Sequence, residues 1–215
     1  MAEKRLLRTL TIYLNQNYQL RLIFPLAFHE YTFEKEDFNK DELVDFCYTQ
    51  KKLNPKGIDR SNRGGWHSET FKLDDKNSIQ LKFALELQKY ILKTFKYLGW
   101  KTESQNIRIR EMWAIINKKN DFNVIHTHPN CYLSAAYYVK APKNCGKFIV
   151  ENPNIAKRHS FPPIAYRNEL NLVLNGLDIN EGDLLLFPGY LPHKVGKNEA
   201  DEDRIVISFN VDLKN

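Results

Sequence analysis

At 215 residues, with 42% hydrophobic and 13% aromatic content, the chain is long enough to bury a proper core in one compact unit, which excludes global disorder. No stretch approaches the roughly 20 apolar residues that span a bilayer, and the charged start Met1-Ala2-Glu3-Lys4-Arg5 leads into no apolar secretion signal. The net charge of +6 selects no nucleic-acid partner, because the lysines are spread and alternate with acids, as in Phe33 to Glu42, the pattern of a solvated surface.

Leu10 to Leu14 and Gln19 to Leu26 read as strands, the second alternating and stopped by Pro25. Asp41 to Tyr48 predicts a short helix with Asp37 or Asn39 as its cap. The Gly64-Gly65 pair makes Ser61 to Ser68 a loop, with Trp66 inside it as a buried anchor or a substrate-facing aromatic. The clearest helix spans Asn77 to Leu98: Ile79, Phe83, Leu87, Ile91, Leu92, Phe95 and Leu98 recur at three- and four-residue steps, Asn77 or Ser78 can cap it, and Gly99 supplies its stop.

From Ile107 the period changes to 2. Ile107 to Ile116, Asn123 to His128, Leu133 to Val139, Gly146 to Val150, Asp183 to Phe187 and Arg204 to Val211 all read as strands, separated by Pro, Gly and Asn. Short strands at this spacing predict an antiparallel sandwich or small barrel. Residues 152–180 form the longest irregular stretch, with the character of a lid or binding loop. Cys47, Cys131 and Cys145 are odd in number and lack zinc-type spacing, which suits a reduced cytoplasmic protein.

His126 and His128, two apart on a strand, point to one face, and His193 arrives from another β-rich stretch behind Phe187-Pro188-Gly189. Together they offer a metal three imidazole nitrogens, whereas a pair alone is as readily a surface or core feature. Alternation places Arg204, Val206, Ser208 and Asn210 on one face. An arginine on an inward face needs an anion, either a ligand carboxylate, to which Ser208 would add a hydroxyl, or the adjacent Asp201, Glu202 or Asp203.

Over residues 107–212 the chain resembles the iron(II)- and 2-oxoglutarate-dependent oxygenases, in a branch found in microbes and phages and akin to the prolyl hydroxylases. The segments that carry the resemblance are Met112-Trp113-Ala114, His126-Thr127-His128-Pro129-Asn130, Leu133 to Val139, Glu151-Asn152-Pro153, Gly182 to Val195 and Arg204 to Asn210, with Gly64-Gly65-Trp66 upstream. It implies an α+β, mainly β fold: a double-stranded β-helix, or jelly roll, with N-terminal helices packed on one sheet. The expected organisation is a single oxygenase-like domain over 1–215, with N-terminal strands and supporting helices in 1–105 and the β-helix core in 106–215.

The resemblance also implies His126 as the proximal and His193 as the distal ligand of Fe(II). Arg204 would bind the remote carboxylate of 2-oxoglutarate, helped by Ser208 and Tyr138, with Asn123 and Asn210 as further polar contacts. The family's usual His-x-Asp or His-x-Glu is here His126-Thr127-His128. Either His128 completes a three-histidine set, or Glu151 reaches the metal instead, or the position is open. The first is favoured, because His128 shares a face with His126. It would leave the site one unit more positive than a two-histidine, one-carboxylate triad.

The implied reaction consumes O2 and 2-oxoglutarate, releases succinate, and hydroxylates a substrate C–H bond. Tyr137, Trp113 and Trp66 are expected as substrate-side walls. The substrate class stays open among a small molecule, a protein side chain and a nucleic acid, as does the oligomeric state. The cysteine usage and the lack of a secretion signal suit action in the cytoplasm, and the microbial and phage branch extends this to a host's cytoplasm where the protein is phage-encoded. Two rivals stand beside this reading: a three-histidine cupin-like thiol dioxygenase without 2-oxoglutarate, and a non-catalytic jelly-roll binding module.

Overall fold

The computed structural model describes residues 11–213 apart from 16–17, 23, 34–37, 102–106 and 161. The strong period-2 alternation of Arg204–Leu213 makes it a two-faced strand, β13, and the architecture is built around it. In order, the strands are β1 (Thr11–Asn15), β2 (Tyr18–Arg21), β3 (His29–Thr32), β4 (Asn62–Arg63), β5 (Trp66–His67), β6 (Ile107–Asn117), β7 (Phe122–His126), β8 (Leu133–Lys140), β9 (Phe148–Glu151), β10 (Leu174–Leu177), β11 (Asp183–Pro188), β12 (His193–Val195) and β13. Three helices join them: α1 (Lys40–Leu53), α2 (Ile79–Tyr97) and α3 (Ile155–His159).

Six strands form one antiparallel sheet in the order β3-β11-β8-β13-β6-β5, and five form a second in the order β10-β9-β12-β7-β4. β1 and β2 pair only with each other. From β6 to β13 consecutive strands alternate between the two sheets, β9 and β10 apart, so most hydrogen-bonded neighbours are non-consecutive, the winding of a jelly roll. One face of the larger sheet, through Ala114, Ile116, Tyr137, Val139, Leu184, Leu186, Ile205, Ile207 and Phe209, packs against α1 and α2. The other, through Ala136, Tyr138, Leu185, Phe187 and Val206, meets Phe148, Val150 and Val195 of the smaller sheet. The predicted β-helix with helices on one sheet is therefore the observed fold.

α2 buries Phe83, Leu87, Ile91 and Phe95 completely, and each such side chain contributes roughly 1.5–3 kcal/mol by leaving water. Ser78 caps α2 by accepting from the amide of Leu81 at 3.4 Å, and Gly99 stops it at φ +70°. Asn39 caps α1, accepting from the amide of Asp41 at 3.1 Å. α1 runs past the expected Tyr48 to Leu53, where Asn54 precedes Pro55 and the helix cannot continue. Asp37, the other cap considered, lies outside the described residues.

Three sequence-based expectations are corrected. Tyr137 packs on Phe33 and Phe83, with ring centroids 5.0 Å away in each case, on the helix side of the sheet and outside the lining of the central cavity. Adjacent strand residues face opposite ways, so Tyr138 turns inward because Tyr137 turns outward. Trp66 is the buried anchor: its indole Nε1 donates to the carbonyl of Asn54 at 2.9 Å, and its ring joins the helix-side core. The stretch 152–180 holds α3 and β10, and none of its described residues lines the central cavity. No helix among the described residues is long and apolar enough to cross a membrane.

Candidate active site

His126 ends β7 and His193 begins β12, and the antiparallel ladder makes them direct register partners. Each ring places Nδ1 2.8 Å from the carbonyl two residues earlier, Val124 for His126 and Leu191 for His193. A carbonyl only accepts, so each Nδ1 carries the proton and each Nε2 keeps a bare lone pair. His128 lies just beyond β7, in a turn whose geometry depends on Gly189: the His128 amide donates to the Gly189 carbonyl at 2.8 Å. One ligand nitrogen from each of the three rings lies within 4.8 Å of the others.

Burial pushes all three imidazoles below the ordinary histidine value. His128 and His193 fall to about 3, helped by the neighbouring rings, each of which would resist a second positive charge. The set is neutral at neutral pH, the form in which imidazole binds a metal. Among the described residues no carboxylate joins this cluster. In register it is Val150 that opposes His193, so Glu151, one residue on, takes the other face of β9 and does not line the cavity.

The three histidines line a cavity of about 500 Å³ between the sheets, walled also by Trp113, Tyr138, Ser208, Asn123 and Asn210. Trp113 stacks at 5.7 Å on His128 and, on its other side, at 5.7 Å on His67. Asn123 donates to Ser61 Oγ at 3.1 Å, and Asn210 donates to Glu111 Oε2 at 2.8 Å.

Arg204 is fully buried on the inward face of β13, just behind this wall. Its Nη1 donates to the carbonyls of Cys145 and, at 3.1 Å, Gly196, while Nε and Nη2 have no partner. The neighbouring acids turn elsewhere: Asp201 to Lys119 at 2.6 Å, Glu202 to Lys140 at 2.8 Å, and Asp203 to the hydroxyl of Tyr48 at 3.1 Å. The local salt bridge considered for Arg204 does not form. Burial lowers its pKa, with Tyr138 and Cys145 acting in the opposite sense.

Tyr138 is fully buried with its hydroxyl unpartnered, and burial holds that phenol protonated. Asn117, the register partner of Arg204 on β6, lines the cavity with both amide atoms unpartnered. A buried polar group without a partner costs about 1–3 kcal/mol, so unpaired donors gathered around one fixed cation describe a receptor for an anion. The donor set fits a carboxylate at this end and a divalent metal at the histidine end.

Sequence reasoning missed Asn117 and His67. The signal for Asn117 is its place at the end of the alternating run Trp113, Ile115, Asn117, which faces inward opposite Arg204. For His67 it is alternation with Trp66, since the two cannot both face the helix-side core.

Residues 111–210 match the family described as "Putative 2OG-Fe(II) oxygenase", a stretch containing all three histidines, Arg204, Tyr138 and Ser208. A prolyl-4-hydroxylase from Pseudomonas putida is similar in structure at 12% identity, with 86% of this chain and 92% of that one covered and a TM-score of 0.59. HygX from Streptomyces hygroscopicus, solved with nickel and 2-oxoglutarate, is similar at 13% identity, with 86% and 82% covered and a TM-score of 0.56. The viral collagen prolyl hydroxylase of Paramecium Bursaria Chlorella virus-1, in its 2-oxoglutarate complex, is similar at 11% identity, with 87% and 96% covered and a TM-score of 0.55. No curated protein matches the chain in sequence.

The fold is that of the double-stranded β-helix oxygenases. The family model covers 100 of the 215 residues, the stretch that carries the site, and the solved structures extend the likeness over the fold.

Proposed function

We propose that the protein is an Fe(II)- and 2-oxoglutarate-dependent hydroxylase in which His126, His128 and His193 hold the metal and Arg204 anchors the co-substrate. One observation carries this: a single cavity has three neutral imidazoles at one place and, behind its wall, a buried guanidinium with two unsatisfied nitrogens. When bound, the iron supplies O2 activation coupled to loss of CO2 from 2-oxoglutarate and hydroxylation of a C–H bond.

The side chains do the rest. His126 and His193 present Nε2 in fixed tautomers, and the turn at Gly189 sets His128 beside them. Arg204, Tyr138 and Ser208 meet the remote carboxylate of 2-oxoglutarate and fix which end of the molecule faces the metal. Asn123 and Asn210 shape the walls between. Trp113, braced by the rings of His67 and His128, faces the substrate side. Residues 1–215 act as one unit, with α1 and α2 bracing the sheet that carries Arg204. Three free thiols and a ferrous site both suit a reducing cytoplasm.

The rival thiol dioxygenase needs no 2-oxoglutarate, so metal-dependent binding of that keto acid separates the two readings. A structural metal would have every coordination position closed, whereas three protein ligands facing a cavity leave positions open. Calorimetric titration of 2-oxoglutarate into protein loaded with redox-inert Mn(II) tests the reading. Binding should require the metal and be lost in Arg204→Ala. Metal uptake with no 2-oxoglutarate heat would favour the thiol-dioxygenase reading, and no metal uptake would sink the triad.

A further inference from the structure

We propose that Asn117 is a specificity-determining residue of the co-substrate pocket, reading the remote carboxylate of 2-oxoglutarate together with Arg204. This rests on the function proposed above. Asn117 is completely buried at the end of β6, directly opposite Arg204 in the β6–β13 register. Both its Nδ2 and its Oδ1 lack partners.

The other buried asparagines of this part of the fold are engaged. Asn62 donates to the carbonyl of Gly65 at 2.6 Å, Asn123 to Ser61 Oγ at 3.1 Å, and Asn198 to the carbonyls of Asn117 and Glu202 at 3.0 and 2.8 Å. Asn117 is held by its backbone carbonyl while its side chain is left unbonded.

The room for that side chain is built in. A Cβ on Gly65 would stand 2.4 Å from Asn117 Nδ2, so a larger residue there would displace that amide, and Asn62 pins the Gly65 carbonyl. A leucine or valine at 117 would fill the same space without burying an unsatisfied amide. The amide is explained by a ligand that accepts from Nδ2. Because Asn117 and Arg204 are direct register partners on neighbouring strands, their idle N–H groups together offer a fork suited to a carboxylate. A co-substrate lacking the second carboxylate would leave the fork empty.

The test is anaerobic titration of the Fe(II)-loaded protein with 2-oxoglutarate and, separately, with 2-oxopentanoate, which keeps the chelating end and lacks the remote carboxylate. The readout is the visible band of the chelated keto acid. In Asn117→Ala the dissociation constant for 2-oxoglutarate should rise about tenfold or more, the loss of one charge-assisted hydrogen bond, while that for 2-oxopentanoate changes less than about twofold. The isosteric Asn117→Asp, with an anion beside Arg204, should weaken 2-oxoglutarate further and retain Fe(II).

Unchanged 2-oxoglutarate affinity in both variants would overturn the proposal. Equal weakening of the two keto acids would do the same, since it marks damage to the site. Absence of any band in the unaltered protein would instead remove the co-substrate reading on which the proposal rests.

Discussion

His126 and His193 sit directly opposite each other on neighbouring antiparallel strands, each clamped through Nδ1 to the carbonyl two residues before it. The ladder supplies the pairing and the backbone supplies the tautomer, so two ligands are pre-oriented before any ion arrives. Replacing either ring by alanine removes a ligand from an ordered site. His193→Ala should weaken Fe(II) binding by about 100-fold or more, beyond the 10–100-fold typical of losing a ligand's outer partner. Equilibrium dialysis measures this, with circular dichroism showing the fold retained. Unaltered iron affinity would exclude His193 as a ligand.

His128 is the third member of the imidazole cluster, at the place that a carboxylate would take in a two-histidine, one-carboxylate triad. His128→Asp should therefore keep iron, with one unit less positive charge at the site, whereas His128→Ala should lose affinity. If both variants bind iron like the parent, the third ligand is not at this position.

Gly189 sets the His128 turn. A Cβ there would stand 2.5 Å from Cys131 Sγ and 2.7 Å from the carbonyl oxygens of Cys131 and His128. Gly189→Ala must shift that turn, at about 1–3 kcal/mol of stability. The larger effect expected is on iron affinity, read in the same dialysis. A stable variant with normal iron binding would show that the turn does not position His128.

Tyr137 and Tyr138 are adjacent in sequence and face opposite ways. Tyr138→Phe should weaken 2-oxoglutarate binding several-fold by removing a buried hydroxyl donor, roughly 1 kcal/mol. Tyr137→Phe should leave that affinity unchanged. Calorimetry on the Mn(II) form distinguishes them, and equal effects from both would contradict the assignment of faces.

Burial pushes the Cys47 thiol up to about 12, and burial with the Asp203 carboxylate beside it pushes the Tyr48 phenol up to about 12. Both are raised above their unfolded values of 9.0 and 10.0. Raised groups contribute stability that is complete below the unfolded pKa and is lost as pH climbs toward the folded one. Denaturation midpoints should hold steady up to about pH 9 and fall between there and pH 12, with Cys47 alkylating slowly at pH 8 until the protein unfolds. Rapid native-state labelling of Cys47 would contradict its burial.

Much of this was legible in the chain because alternation is a strong signal when one face is buried. The run Arg204 to Asn210 revealed both the strand and the side its arginine takes, and the α2 stripe appeared as predicted. β3, β10 and β12 escaped notice because strands of three or four residues hold too few alternations to register. Tyr137 and Trp66 were misplaced for a related reason. Which face of a strand meets the helices and which the cavity is decided by tertiary packing, and adjacent aromatics look alike until the register is known. Asn117 escaped because a buried polar residue looks ordinary until the absence of its partners is seen.

The most direct test of the account is anaerobic titration of the Fe(II)-loaded protein with 2-oxoglutarate, following the visible charge-transfer band of the chelated keto acid, with Arg204→Ala alongside. The account predicts a saturable band in the parent protein and at least a tenfold weaker one in Arg204→Ala, about 1.4 kcal/mol or more. Iron bound at His126, His128 and His193 with no band at any 2-oxoglutarate concentration would contradict it.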